Sequence, residues 1–251
     1  MHNRVDLAPA GTSMLWRRWW DFPSIYNHNL PETSIHEFVD QAADPAVRGF
    51  LHEPETANGS GLILTHGAGG NAQTPLLRAL AETFAAAGFT VLRCDLPFRQ
   101  VRPFGPPGPG DAARDRAGIT NAVSALRKIV SGKFYLGGHS YGGRQASMLC
   151  AEQPDLAAGL VLLSYPLHPP RRPEQQRTQH LPDLRTSTLF IHGTCDPFGS
   201  IEEMQRAVKM IPAPTKLIAV EGAGHDLGFK GKARKEELPA IVSEEFRKFT
   251  H

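Results

Sequence analysis

The feature that most constrains this chain is the alternation of two hydrophobic periods along it. Short β-rich runs stand at 47–52 (VRGFLH), 61–66 (GLILTH), 89–94 (FTVLRC), 133–138 (KFYLGG), 159–165 (GLVLLSY), 187–192 (STLFIH) and 215–220 (TKLIAV). Five of them are near-continuous apolar runs, the mark of strands covered on both faces. Helical patterns fill the gaps. Residues 75–87 open on Thr74-Pro75, an N-cap followed by Pro at the first helical position. Residues 111–130 space Ile119, Val123, Leu126 and Val130 at helical intervals, and 200–211 open on the capping-box string Ser200-Ile201-Glu202-Glu203. Residues 238–249 align Ile241, Val242, Phe246 and Phe249 on one stripe. Strands alternating with helices predict an α/β fold: a mostly parallel, doubly wound sheet with helices on both faces.

No linker or repeat divides residues 35–251, so they read as a single domain behind an N-terminal extension, 1–34. That extension holds all three tryptophans, Trp16, Trp19 and Trp20, at helical spacing. A membrane-surface or partner-docking role for them competes with a tail folded over the domain. The 24 Gly and 21 Pro among 251 residues are loop chemistry, concentrated in 97–110 (PFRQVRPFGPPGPG), which reads as a long loop over the sheet edge.

Charge excludes other classes. With 27 Lys and Arg against 25 Asp and Glu, the net charge of +2 suggests no nucleic-acid partner. The one basic cluster, Lys230 to Lys235, has no interleaved aromatics and reads as a solvated face. No run approaches the ~18 apolar residues of a membrane span, and the first residues lack the apolar stretch of a secretory signal. Stable membrane insertion is therefore not expected, and the location reads as cytoplasmic. Cys94, Cys150 and Cys195 are odd in number and far apart, which fits buried or half-buried small hydrophobes better than disulfides or a zinc site.

The strongest local signal is Gly137-Gly138-His139-Ser140-Tyr141-Gly142-Gly143, which holds a G-x-S-x-G string. Such a string occurs by chance in about one chain in ten of this composition, so context decides. KFYLGG leads in as a strand and RQASMLCAEQ leads out as a helix, the setting of a nucleophile elbow. A nucleophilic serine needs a base, and the base an orienting acid, in the order Ser, Asp or Glu, His. Asp196 lies just past STLFIH and His225 just past TKLIAV, so Ser140, Asp196 and His225 all fall at carboxyl ends of strands. Glu221 and Asp226 compete as acids but lie too near His225 in sequence. Acyl transfer also needs N–H donors for the oxyanion. Tyr141, after the nucleophile, is one; Ala68, in the His66-Gly67-Ala68-Gly69-Gly70 loop, is the other, with Gly69 and Gly70 letting the backbone approach substrate.

Two rival readings share these residues. Gly67-x-Gly69-x-x-Ala72 with Asp95 imitates a dinucleotide fingerprint, but the following helix starts only at Pro75. His66, His139, His192 and His225 near strand ends suggest a metal, yet they lack paired spacing and read better as satisfied supporting histidines. No metal and no cofactor is expected.

Taken together, these motifs resemble the α/β-hydrolases over roughly residues 35–251. LTHGAGGN, LGGHSYGGRQASM, LSYPLHPPRRPEQQRTQHLPDL and FIHGTCDPFGS are similar to small hydrolases related to the testis-expressed and NSL-complex-subunit-three proteins, a group labelled dienelactone-hydrolase-like. True dienelactone hydrolases carry a cysteine where this chain has Ser140. The resemblance implies a serine hydrolase that cleaves a carboxylic ester or related acyl bond of a small molecule. The alternative is a non-catalytic scaffold of the same fold. Only 166–186 separate LSY from STLF, enough for a short helix around 173–181 but not for a lid domain. The site is then open, walled by Tyr165, His168, Tyr141 and the 97–110 loop, and suited to short acyl groups. Arg144, Arg171 and Arg172 would favour an anionic acyl group unless they are simply solvated.

Overall fold

The structure is a computed structural model that describes residues 12–14, 33–229 and 237–250. Among the described residues the sheet has nine strands: β1 (Thr12–Met14), β2 (Thr33–Asp40), β3 (Val47–Pro54), β4 (Gly61–Thr65), β5 (Thr90–Cys94), β6 (Phe134–His139), β7 (Gly159–Leu163), β8 (Thr188–Gly193) and β9 (Thr215–Val220). They lie in the order β1-β9-β8-β7-β6-β4-β5-β3-β2. All pairs from β1 through β9, β8, β7, β6 and β4 to β5 are parallel, and the β5–β3 and β3–β2 pairs are antiparallel, so β3 is the reversed strand. The α-helices among the described residues are α1 (Pro75–Ala86), α2 (Pro97–Val101), α3 (Asp111–Leu126), α4 (Tyr141–Glu152), α5 (Ile201–Val208) and α6 (Glu237–Thr250). Among the described residues no helix is long and apolar enough to cross a membrane.

Successive strand side chains point to opposite faces, and the buried runs use this to build two cores at once. Ile63, Leu136, Leu160, Leu162 and Phe190 pack on one face with Ile119 and Val123 of α3 and Leu149 of α4. Their neighbours Leu62, Leu64, Tyr135, Val161, Leu163, Leu189 and Ile191 pack on the other, with Leu77, Leu80 and Phe84 of α1 and Val242 and Phe246 of α6. A strand sandwiched this way has no polar face to show, which is why five of the runs lack alternation.

The seven expected strands are present, and so are five of the six expected helices, α1, α3, α4, α5 and α6. The capping box of α5 forms: Ser200 Oγ accepts from Glu203 N at 3.2 Å, and Glu203 Oε2 accepts from Ser200 N at 2.8 Å. Thr74 sits at the N-cap of α1 as expected, but its hydroxyl donates back to Asn71 O at 2.7 Å and caps nothing.

Three expectations are corrected. Residues 97–110 are not loop throughout: Pro97 starts the short α2, whose Phe98 and Arg99 are buried. The helix expected at 173–181 is absent. Turns such as Gln175 N to Arg172 O run there, and a single 3₁₀ turn follows at Leu181–Asp183. The string EQQRTQ offers no apolar stripe to bury, so nothing supports a helix. Strand β2 begins at Thr33, across the boundary drawn at residue 34, and pairs with β3 over its whole length. It is largely exposed, so it lacks the apolar run that marks the others. The three tryptophans and the Lys230–Lys235 cluster lie outside the described residues.

Candidate active site

Strand β6 ends at His139 and α4 starts at Tyr141, so the chain reverses within one residue. That residue is Ser140, at φ 52° and ψ −116°. The strained turn survives because its flanks are over-determined. Ser140 N donates to Leu163 O at 2.8 Å, and Ser140 O accepts from Arg144 N at 3.0 Å. A Cβ on Gly138 would stand 2.4 Å from Thr65 Oγ1, and one on Gly142 would stand 2.5 Å from His66 O. Any side chain at either position would push the elbow off β4.

The loops after β8 and β9 bring Asp196 and His225 to Ser140. Ser140 Oγ lies 2.8 Å from His225 Nε2, and His225 Nδ1 lies 2.8 and 3.0 Å from the two oxygens of Asp196. Nδ1 faces a carboxylate and so carries the proton, leaving Nε2 to accept from the serine hydroxyl. Neither Glu221 nor Asp226 takes the place of Asp196. Burial pushes the Asp196 carboxyl up, but the hydrogen bond and charge of His225 and the charge of His192 outweigh it and hold the group below its ordinary value. Ser140 and Asp196 are buried, whereas the His225 side chain keeps 23% exposure, enough to meet a ligand.

The loop after β4 faces this trio. Leu96 N donates to His66 Nε2 at 3.1 Å, so His66 carries its proton on Nδ1 and donates it to Gly67 O at 2.8 Å. Gly70 N donates to the same oxygen at 3.0 Å. With that carbonyl held inward, the N–H of Ala68 points the opposite way across the planar peptide. The N–H of Tyr141, in the first helical position, has no intrahelical partner. Gly69 is exposed, and a Cβ there would meet nothing within 4 Å.

Tyr165 and His168 correct the expectation of an open wall. Tyr165 is 1% exposed in the core, its hydroxyl donating to Arg177 O at 2.6 Å, and His168 is 5% exposed beside Glu203 at 3.3 Å. Their hydrogen bonds hold the 166–181 segment down. Arg144 is half-buried with its Nε unpartnered, while Arg171 and Arg172 are exposed. Cys94 and Cys150 are buried, with thiols pushed up to about 12 by burial; Cys195 is exposed, against expectation.

The rival readings find little here. Asp95, just past β5, accepts from Ala72 N at 2.6 Å and ties the 66–72 loop to that strand end. His139 Nε2 donates to His225 O and His192 Nε2 to Gly199 O, each at 2.8 Å, so these rings position backbone. Among the described residues no group of three His, Cys, Asp or Glu converges as a metal site.

One neighbour escaped sequence reasoning. The Phe198 ring lies on His225, centroids 4.1 Å apart at 30°, with His139 at 5.1 Å on the same imidazole. Phe198 is two residues past Asp196, and its N–H donates to Asp196 Oδ1 at 2.9 Å. Only a structure pairs it with a ring 27 residues away.

Comparison with known proteins agrees with this fold. The family model described as "Alpha/beta hydrolase domain" matches residues 58–249. A cutinase of Thermobifida alba is 29% identical over 150 residues, 58% of this chain but only 46% of the cutinase. The chain thus spans less than half the length of that relative. A dienelactone hydrolase from Anabaena variabilis superposes with a TM-score of 0.69 at 22% identity, covering 86% of this chain and 98% of that one. An α/β serine hydrolase without lid from Xanthomonas campestris gives a TM-score of 0.65 at 14% identity, covering 90% and 96%. At these identities the two structures speak to the fold alone.

Proposed function

The chain belongs to the alpha/beta hydrolase family, and on that premise we propose that it is a serine hydrolase cleaving carboxylic esters or related acyl bonds of small molecules. The observation that carries the proposal is the hydrogen-bonded line from Ser140 Oγ through His225 to Asp196, with 2.8 Å at each link.

In this reading Ser140 Oγ attacks the acyl carbon while His225 Nε2 takes its proton. Asp196 holds the imidazole in the required tautomer and stabilises the imidazolium that forms. The oxyanion is received by the N–H groups of Ala68 and Tyr141. The intermediate collapses as His225 returns the proton to the leaving alcohol, giving an acyl-Ser140 ester. Water, activated by the same imidazole, then attacks that ester, releasing the acid and restoring the serine. No cofactor enters these steps. Within the family, the four strings quoted above support the testis-expressed and NSL-complex-subunit-three-like group.

The 166–186 segment carries one 3₁₀ turn and no lid, which supports short acyl chains. Added methylenes along an open groove each gain less than the ~0.8 kcal/mol of full burial. The test is a fluorophosphonate probe with p-nitrophenyl acetate, butyrate and decanoate. Labelling at Ser140 and turnover favouring the short esters are expected. Labelling unchanged in Ser140→Ala would overturn the nucleophile, and a marked preference for decanoate would overturn the open groove.

A further inference from the structure

Asp115 is fully buried, yet it takes no part in the chemistry above. It stands in α3, and each of its oxygens has one partner. Tyr141 Oη donates to Oδ2 at 2.6 Å, and Phe98 N donates to Oδ1 at 3.0 Å. The first partner is the residue whose N–H serves the oxyanion. The second is the first turn of α2, and the next residue of α2 is Arg99.

Arg99 is 7% exposed and faces no carboxylate within ion-pair distance among the described residues. Its guanidinium instead gathers backbone carbonyls. Nε donates to Gly70 O at 2.8 Å, Nη2 to Ala68 O at 2.7 Å and Gly105 O at 2.9 Å, and Nη1 to Arg102 O at 3.0 Å. Two of these four carbonyls flank Gly69 in the loop that carries the other oxyanion donor.

We propose that Asp115 and Arg99 are positioning residues of the oxyanion hole. They join its two donors, Tyr141 and Ala68, into one unit through α2. The connection runs from Tyr141 to Asp115, from Asp115 to Phe98, and along α2 to Arg99 and the 66–70 loop. Apolar packing follows the same path: the Phe98 ring meets Tyr141 edge-on at 5.7 Å and His66 at 5.6 Å.

The arrangement has a physical purpose. Oxyanion donors act only if their separation and direction are set before the charge develops. Here one donor starts a helix and the other sits in a glycine-rich loop. The β4–β6 pairing that leads into them ends at Thr65 and Gly138, and Gly142 N donates to His66 O at 3.2 Å just beyond it. Arg99 and Asp115 add restraint past these last paired residues. Charged groups bonded to buried partners are stiff restraints, because breaking either bond leaves an ion unpaired out of water. Burial raises the Asp115 carboxyl above its ordinary value, opposed by the Tyr141 and Phe98 hydrogen bonds.

The proposal rests on the serine hydrolase reading, and its test separates the two. Turnover of p-nitrophenyl butyrate and inhibition by butaneboronic acid, which forms a tetrahedral adduct on a nucleophilic serine, are measured on the full chain. Asp115→Ala is expected to lower kcat at least tenfold, short of the ~10²–10³-fold loss on removing a donor outright. KM should stay within about threefold while boronate affinity falls in step with kcat/KM. Asp115→Asn should recover part of the loss: its amide oxygen still caps Phe98 N, and its NH₂ can donate to the Tyr141 hydroxyl. Should Asp115→Ala fail to fold, Tyr141→Phe cuts the same connection with its ring packing intact, and a kcat and boronate loss of several-fold is expected. Boronate affinity and kcat unchanged in whichever of these variants folds would overturn the connection and leave the triad standing. Absence of both turnover and boronate binding in the unmutated protein would overturn the two readings together.

Discussion

Ser140, His225 and Asp196 come from the ends of three strands and meet directly, side chain to side chain. Ala68 and Tyr141 offer only backbone, and the side chains that hold them, Arg99 and Asp115, belong to helices at the edge of the site. The first half is a short relay in which His225 joins Ser140 to Asp196, one link on each ring nitrogen. The second is a restraint spread over six hydrogen bonds, four of them to carbonyls. A relay fails completely when one member goes, whereas a distributed restraint loosens by degrees.

That contrast can be broken or sharpened by substitution. The largest expected effects are in the relay. Ser140→Ala and His225→Ala should each lower kcat by about 10⁶, and the double variant should be no worse, since the groups act as a unit. Single-turnover and steady-state assays of all three check this; additive losses would show that the relay is not one device. Asp196→Asn should cost about 10⁴-fold by leaving the imidazole in the wrong tautomer.

In the restraint, Arg99→Met leaves four carbonyls without a donor and should lower kcat by about 10 to 10²-fold, with KM nearly constant. A loss as deep as that of Asp196→Asn would erase the distinction between the halves. Gly118→Ala is gentler, because it touches no polar group. Its Cβ would stand 2.6 Å from Pro97, at the start of α2. Relief of that clash should shift α2, cost about 1–3 kcal/mol of stability in denaturant melts, and reduce kcat only a few-fold.

The smallest effect on turnover comes from supporting histidines, which act on stability instead. Burial is the leading cause holding His52, His139 and His180 down to about 4. The unfolded chain protonates them near ~6.5. Between those values the unfolded state binds more protons, so stability is whole above pH 6.5 and falls as pH drops toward 4. Urea midpoints at pH 7, 5.5 and 4.5 should decline in that order, and His52→Gln, in β3, should flatten the decline by about one proton's share. A midpoint constant over this range would show that these rings are not buried neutral.

How much was legible beforehand follows the same division. The β6 elbow could be read because its glycines mark backbone contacts that no other residue allows. Asp196 and His225 could be read because each directly follows a strand. Strand β2 could not, since an exposed edge strand carries no apolar run. Nor could α2: five residues with one Pro look like loop until Asp115, 17 residues on, accepts the Phe98 N–H.

The sequence alone therefore determined seven strands, the helices between them and the order in which Ser140, Asp196 and His225 follow strand ends, because periodicity, strand ends and glycines are local properties. Tertiary structure alone decided that Tyr165 and His168 turn inward, that Phe198 stacks on His225, that Arg99 gathers the carbonyls of Ala68 and Gly70, and that Asp115 takes the Tyr141 hydroxyl. Each of those facts is a contact between residues far apart in the chain. A buried charge finds its partner by packing geometry, and no spacing along the sequence records where that partner will be.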